Sequence, residues 1–282
     1  MSGRGLVGRG PGDEPDRKGM AMTPKVIVLT GASGGIGAAA ARRLGARGHR
    51  LVLAARREAQ LREVAREAGA EALPVVTDVC RRADVERLRD EALERFGHVD
   101  VWVNNAGRGI TRPVLELTDD DVDEMMAVNL KSALYGMQAI VPHFQARGTG
   151  HLINVSSMLG RVPFVPFRSA YNAAKHGLNA LTANLRMDLR RTHPGIHVTL
   201  MMPGVVTTDF ARNALHNAPG LAAGGGPPGQ TADEVAAVLE SVIDDPRPDV
   251  YTSPALAERV RKYYEDIAAF EDELAAAARP RP

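Results

Sequence analysis

Tyr171 and Lys175 stand four residues apart in the run Ser169-Ala170-Tyr171-Asn172-Ala173-Ala174-Lys175. On a helix, positions i and i+4 share a face, so the two side chains project together. A phenol with its ordinary pKa of about 10 is a poor proton donor or acceptor at neutral pH. An adjacent ammonium favours the phenolate and draws that value down towards the working range. Upstream, the apolar strand His151 to Val155 ends in two hydroxyls, Ser156 and Ser157, either of which can hold a substrate oxygen. Alone, a Tyr-x-x-x-Lys pair is an ordinary helix-surface feature, so its surroundings decide.

Those surroundings begin at Val26-Ile27-Val28-Leu29-Thr30, a continuous apolar run of the kind buried in parallel sheets. Gly31-Ala32-Ser33-Gly34-Gly35-Ile36-Gly37 follows, and an Ala-rich helix is predicted over Ala38 to Ala46. Strand, glycine turn and helix make a phosphate cradle: glycine lets the backbone approach an anion, and the helix N-terminus offers free N–H groups. The second strand, Arg50 to Ala55, ends in Arg56-Arg57 with no carboxylate before Glu58. An NAD site usually places Asp or Glu there, against the ribose 2′-hydroxyl. Two arginines instead suit a 2′-phosphate, or are solvated surface charges; the first reading favours NADP(H) by roughly ten- to a hundredfold.

Strand and helix then alternate. A helix from Glu58 to Ala68 precedes a strand from Ala72 to Thr77 that ends in Asp78-Val79. A helix from Ala83 to Phe96 precedes a strand from Val99 to Val103 that ends in Asn104-Asn105-Ala106-Gly107. Asp78 can accept from an adenine amino group or cap a helix, and the Asn-Asn-Ala-Gly tip can lie along a cofactor or simply turn the chain. Thr118 with Asp119 to Asp121 opens a long helix, which Asn129 interrupts. Beyond the strand Ile196 to Met202 come Pro203-Gly204-Val205-Val206-Thr207-Thr208, then a glycine-rich stretch (224–229) that suits a lid. Thr231 to Glu234 reads as a capping box. A last strand near Asp249 to Thr252 leads into a C-terminal helix carrying Leu256, Val260, Tyr263, Ile267, Phe270 and Leu274.

The unbroken alternation predicts one α/β domain, a doubly wound parallel sheet of Rossmann-like type over residues 23–253. A disordered tail (1–22) precedes it, and an amphipathic C-terminal helix and tail (254–282) follow. A net charge of +1 gives no reason to expect nucleic acid or an acidic membrane surface. No apolar run is long enough to span a bilayer, and no secretory h-region opens the chain. The single cysteine, Cys80, excludes an intramolecular disulfide framework and fits a reducing, cytoplasmic setting. No histidine pair has metal-ligand spacing and no G-x-S-x-G elbow is present, so no metal and no serine-hydrolase chemistry are expected.

In this order the motifs resemble the short-chain dehydrogenase/reductase family. Thr30 to Gly37 is similar to its TGxxxGIG loop, Asn104 to Gly107 to its NNAG motif, Tyr171 and Lys175 to its YxxxK, and Pro203-Gly204 to its PG motif. Asn129 falls at the family's helix asparagine. The resemblance implies about seven parallel strands, a homodimer or homotetramer, and an oxidoreductase interconverting a carbonyl and an alcohol; the Arg56-Arg57 tip adds the expectation that NADP(H) is preferred over NAD(H). It implies a catalytic set of Asn129, Ser157, Tyr171 and Lys175. The tyrosine exchanges the proton, the lysine lowers its pKa and binds the nicotinamide ribose, and the serine binds the substrate oxygen. Ser157 lies three residues before Gly160 as in the family but fourteen before Tyr171, one more than usual, which fits a longer Pro163 to Phe167 loop. The implied cofactor contacts are Gly31, Ser33, Gly35, Ile36, Gly37, Arg56, Arg57, Asp78, Val79, Asn105, Ala106, Gly107, Tyr171, Lys175, Pro203, Gly204, Val206 and Thr208. Substrate is expected between Arg108 to Ile110, Met158 to Phe167 and the 205–225 region. Val162, Phe164, Val165 and Phe167 suggest an apolar substrate body, and Arg108, Arg161 and Arg168 either meet an anionic group or are surface charges. Two other readings keep the fold: a redox sensor without hydride chemistry, and an epimerase or isomerase that returns the hydride to the same molecule.

Overall fold

A computed structural model describes residues 23–216 and 229–277. The expected tail (1–22) and most of the glycine-rich lid lie outside the described residues.

Seven strands form one sheet: β1 (Val26–Thr30), β2 (Arg50–Ala55), β3 (Ala72–Val76), β4 (Val101–Asn104), β5 (Gly150–Val155), β6 (Ile196–Met202) and, last in the chain, β9 (Asp249–Tyr251). Their order is β3-β2-β1-β4-β5-β6-β9 and every pairing is parallel. Two short strands, β7 (Val206–Thr207) and β8 (Gln230–Thr231), pair with each other away from it. Parallel pairing requires crossovers, and these are the helices α1 (Gly35–Ala46), α2 (Glu58–Ala68), α3 (Arg82–Phe96), α4 (Asp119–Met126), α5 (Ser132–Arg147), α6 (Ser169–Thr192) and α7 (Ala232–Asp244).

Strand side chains alternate between two cores, as period-two geometry demands. Ile27, Leu29, Leu51 and Leu53 face α1, α2 and α7, whereas Val26, Val28 and Trp102 face α3, α5 and α6. Pro74, which cannot donate to a ladder, is confined to the edge strand β3. The strand order reverses between β1 and β4, so their carboxyl ends part and open a crevice where ligands of open α/β sheets bind.

Several boundaries differ from the sequence expectation. The first helix begins at Gly35, not Ala38, so the glycine loop itself forms its opening turn. The long helix after Thr118 is three segments, α4, a π-helical turn over Ala127–Lys131 and α5, with Asn129 inside the π turn. The expected single C-terminal helix divides at Asp266 into α8 (Pro254–Glu265) and α9 (Ile267–Ala277). Its apolar stripe folds back on itself: Tyr263 meets Phe270 edge-on at 5.4 Å, and only Phe270 of that stripe is buried. Among the described residues, no helix is long and apolar enough to cross a membrane.

Candidate active site

The crevice starts where β1 delivers Thr30 and Gly31. The Thr30 hydroxyl accepts from the backbone N–H of Asn105 (3.0 Å) and Ala106 (3.1 Å), and Asn105 Nδ2 donates to the Thr30 carbonyl at 2.9 Å. The tips of β1 and β4 are thereby clipped together. Gly31 has φ +70° and a Cβ there would sit 2.9 Å from both Ala106 Cα and Asn105 Nδ2, so only glycine fits. A Cβ on Gly37 would lie 2.3 Å from the Gly31 carbonyl oxygen, which lets α1 pack tightly under the loop. Gly37 is therefore buried behind the cleft instead of lining it. The first turn of α1 has no acidic residue and no side-chain cap, leaving its N–H groups and positive dipole end for an anion.

At the tip of β2, Arg56 and Arg57 are exposed. Arg57 reaches back across the loop, donating from Nη2 to the Ser33 carbonyl (3.1 Å) and from Nε to its Oγ (3.2 Å). Beyond β3, Asp78 Oδ1 accepts from the Cys80 N–H at 3.1 Å and helps fold a turn that exposes Val79 and Cys80 to the cleft. Burial, ahead of the Asp78 charge, pushes the Cys80 thiol up from its ordinary pKa.

Deeper in the cleft stands the pair from α6. Tyr171 and Lys175 are both buried, with Lys175 Nζ 5.7 Å from the Tyr171 ring centre and donating to the Val155 carbonyl at 3.0 Å. The Ser157 hydroxyl accepts from the Leu159 N–H at 3.1 Å and, with Tyr171, lines the cleft. Ser156 instead turns away to donate to Asn179. Burial dominates both titrations, raising Tyr171 to about 12 and lowering Lys175 to about 8. This corrects the expected direction for the phenol. Desolvation outweighs the opposing pulls of the nearby Ser157 hydroxyl and the Arg168 charge, and the lysine ammonium is directed at a carbonyl.

The cleft encloses about 620 Å³, and its lining brings together Gly31, Ser33, Gly35, Ile36, Arg56, Arg57, Asp78, Val79, Asn105, Ala106, Gly107, Ser157, Tyr171, Lys175, Pro203, Gly204, Val206 and Thr208. Asn129 is not brought there. Its amide donates to the Arg108 carbonyl (2.9 Å) and the Met125 carbonyl (3.2 Å), and its oxygen accepts from the Arg108 N–H (3.1 Å), pinning the stretch after β4 to the π turn.

The substrate end differs more. The 158–167 stretch does not line the cleft. Leu159 and Val165 pack with Ile110, Met125, Val128 and Tyr171 in a third small core, partly buried Phe164 and Phe167 lie against it, and Val162 is wholly buried. The Arg259 guanidinium stacks on Phe164 at 4.6 Å. Arg161 pairs with Asp249, Arg108 with Glu124, and Arg168 is buried, donating to the Ile110 carbonyl at 2.9 Å. The wall is built instead by Thr208, Asp209, Phe210, Arg212, Asn213 and Ala214, with Phe210 edge-on to Tyr171 at 5.7 Å. Phe210 has no sequence signal beyond being the one aromatic residue in the 205–225 region. The end of this wall is tied down where Asp121 accepts from His216 (2.7 Å) and Arg112 (2.8 Å).

A family model described as short chain dehydrogenase matches residues 25–219, from the start of β1 through the cleft wall. The chain belongs to this family. Dehydrogenases of known structure share the architecture. One from Burkholderia phymatum, solved in complex with NAD, is 32% identical with a TM-score of 0.79, covering 89% of this chain and 96% of that one. An alcohol dehydrogenase from the archaeon Thermococcus sibiricus, complexed with 5-hydroxy-NADP, is 29% identical with a TM-score of 0.70, covering 81% and 96%. An uncharacterized oxidoreductase of Staphylococcus epidermidis is 35% identical over 184 residues, 65% of this chain and 79% of that protein. As a short-chain dehydrogenase, this protein is an oxidoreductase of seven-stranded parallel α/β architecture.

Proposed function

We propose that this short-chain dehydrogenase interconverts a carbonyl and an alcohol using NADP(H), with Tyr171 as proton donor and acceptor. The observation that carries the reading is one continuous cleft running from the glycine loop and the Arg56-Arg57 tip to the buried Tyr171–Lys175 pair.

The residues present fit a dinucleotide. A cradle that a Cβ at Gly31 would fill, an uncapped helix N-terminus and a cleft of ligand size are the features such a group requires. Gly31, Ser33, Gly35 and Ile36 would hold the pyrophosphate on the backbone amides of α1, with Gly37 allowing the close approach behind them. Arg56 and Arg57 would take the 2′-phosphate, and Asp78 and Val79 would flank the adenine. Asn105 to Gly107, Pro203, Gly204, Val206 and Thr208 would border the nicotinamide half, with Lys175 on its ribose. When bound, the nicotinamide supplies or accepts the hydride.

Tyr171 handles the proton. At neutral pH a phenol raised to about 12 is fully protonated, the form needed to reduce a carbonyl. An alkoxide developing on the substrate is a far stronger base than a phenolate. The Tyr171 O–H bond therefore breaks towards the substrate oxygen and its electron pair stays on the phenolate. Ser157 presents a hydroxyl to that same oxygen, and the Lys175 ammonium stabilises the negative charge left on the ring oxygen. Asn129 acts at one remove by fixing the Arg108 backbone.

The test is NADPH and NADH consumption across a panel of ketones and aldehydes, run beside Tyr171→Phe. The variant is expected to bind NADPH as the parent does and to turn over at least about a hundredfold more slowly. Near-normal turnover would refute the proton-transfer role.

A further inference from the structure

Arg168 is a guanidinium only 2% exposed, yet among the described residues no carboxylate forms an ion pair with it. The neighbouring arginines all have one: Arg108 has Glu124, Arg112 has Asp121 and Arg161 has Asp249. Residues 217–228, which follow the cleft wall, contain no Asp or Glu to supply one. A buried unpaired cation is costly, because the interior does not replace the water it gave up. The fold nonetheless holds it firmly. Nη1 donates to the Ile110 carbonyl at 2.9 Å, the Arg168 N–H donates to Val165, and a Cβ on Gly109 would touch Nη1 at 2.7 Å.

Its position is specific. Arg168 is the residue immediately before α6, three before Tyr171, and a Cβ on Gly109 would touch both its Nη1 (2.7 Å) and Phe210 Cε1 (2.9 Å), so the guanidinium lies beside the ring that packs on Tyr171. The charged groups on the other elements nearby are matched: Arg108 with Glu124, Arg112 with Asp121, which also bonds His216, and Arg212 with Asp209. Lys175 on the same helix and the Ser157 hydroxyl at the end of β5 complete the surroundings, and Phe210 covers the ring edge. Among the described residues Arg168, like Lys175, has no carboxylate partner, so for both the counter-charge would appear only when Tyr171 loses its proton.

We propose that Arg168 is a positioning residue, the second cation beside Lys175 that stabilises the negative charge Tyr171 carries after giving up its proton. The inference rests on the proton-transfer reading above. It gives a role to a buried arginine without a carboxylate that donates to Ile110, a member of the same third core as Tyr171. The present direction of the electrostatics agrees, with Arg168 among the influences that lower the phenol.

The experiment reads Tyr171 itself, without substrate. Full-length protein is labelled with tyrosine carrying carbon-13 at Cζ, and the five tyrosines are titrated by NMR, Tyr171 being assigned by its loss in Tyr171→Phe. Arg168→Gln keeps a donor for Ile110 but drops the charge, whereas Arg168→Lys keeps the charge but drops the fork. The Tyr171 resonance in Arg168→Gln is expected to begin its ionisation shift about one pH unit higher than in the parent, with Arg168→Lys close to the parent. Arg168→Met serves as a second charge-free variant if the glutamine form does not fold. Identical titrations in parent and charge-free variant would overturn the proposal. Equal shifts in the glutamine and lysine variants would also overturn it, since that marks a packing effect. The two readings fail separately: turnover surviving in Tyr171→Phe refutes proton transfer, and an unmoved titration refutes only the arginine's part in it.

Discussion

If Arg56 and Arg57 take a 2′-phosphate as proposed, removing both should leave the site indifferent between NADPH and NADH. Arg57 already spans the glycine loop through Ser33, with Nη2 and Nε at 3.1 and 3.2 Å, so its guanidinium is preorganised beside the cleft and need not be ordered on binding. A hydrogen bond to a charged group contributes about 1.5–3 kcal/mol when sheltered, and an exposed ion pair about 0.2–1 kcal/mol. Arg56 and Arg57 are exposed, so a phosphate contact from each falls between these limits, about 1–1.5 kcal/mol. At 1.4 kcal/mol per decade, Arg57→Ala should weaken NADPH roughly tenfold and the double alanine variant roughly thirty- to a hundredfold. NADH lacks the 2′-phosphate and should weaken by less than about threefold, the residual loss reflecting the released Ser33 contact. Fluorescence titration of both cofactors against parent, single and double variants measures this directly. Because the arginines are exposed, NADPH affinity should also fall with ionic strength in the parent and fall less steeply in the double variant. Equal loss of NADPH and NADH, or a parent that binds NADH as tightly as NADPH, would refute the reasoning.

Three other perturbations have expected outcomes. Lys175 is held at about 8 in the folded protein against an ordinary value of 10.5, so between these values the unfolded chain binds the extra proton and stability rises with pH. Lys175→Met should remove that slope, stabilise the protein at neutral pH by on the order of 2–3 kcal/mol in urea titrations, and abolish turnover. Asp121 is held far below the usual carboxylate range, the His216 bond contributing most, so its stabilisation is present at neutral pH and lost as pH falls through its lowered folded pKa. Asp121→Asn should cost roughly 2–4 kcal/mol in denaturant titrations and flatten the acid limb of stability. Gly37→Ala places a methyl 2.3 Å from the Gly31 carbonyl oxygen, and should cost about 1–3 kcal/mol while weakening NADPH, both measurable on the purified variant.

What the sequence reveals here depends on which features act through the backbone. Val26 to Thr30, the glycines after it and the tip Asn104 to Gly107 announce themselves because buried parallel strands, tight turns and close backbone approach each admit few residue types. Their positions along the chain suffice to bring the Gly31 loop, the Arg56-Arg57 tip and Tyr171 to one edge of the sheet. Burial is another matter. Nothing local to Tyr171 shows that Phe210 and the third core will strip it of water, so a rule that considers only the adjacent lysine misjudges the phenol. The same holds for Asn129, whose partners Arg108 and Met125 become known only when the π turn forms. The 158–167 loop, rich in Pro and Phe, reads as pocket lining, but its apolar residues are inward-facing and the wall opposite comes from 208–214. The C-terminal stripe is periodic enough for one helix, and the break at Asp266 follows from Tyr263 and Phe270 finding each other.

The packing of α7 on α1 bears on how the chain is made. Leu44 and the alanines of α1 share a core with Val235, Ala236, Leu239, Val242 and Ile243 of α7, and Arg43 and Arg47 pair with Asp233, Glu240 and Asp244. Lys25 at the foot of β1 donates to the Ile243 carbonyl at 2.7 Å. Helix α1 therefore leaves the ribosome long before α7 can cover it. At about 5–20 residues per second, that interval is on the order of ten to forty seconds for a nascent chain. Throughout it the apolar face of α1 has only α2 and the growing sheet for shelter. A parallel sheet ordered in this way ties successful synthesis to protection of its own N-terminal half.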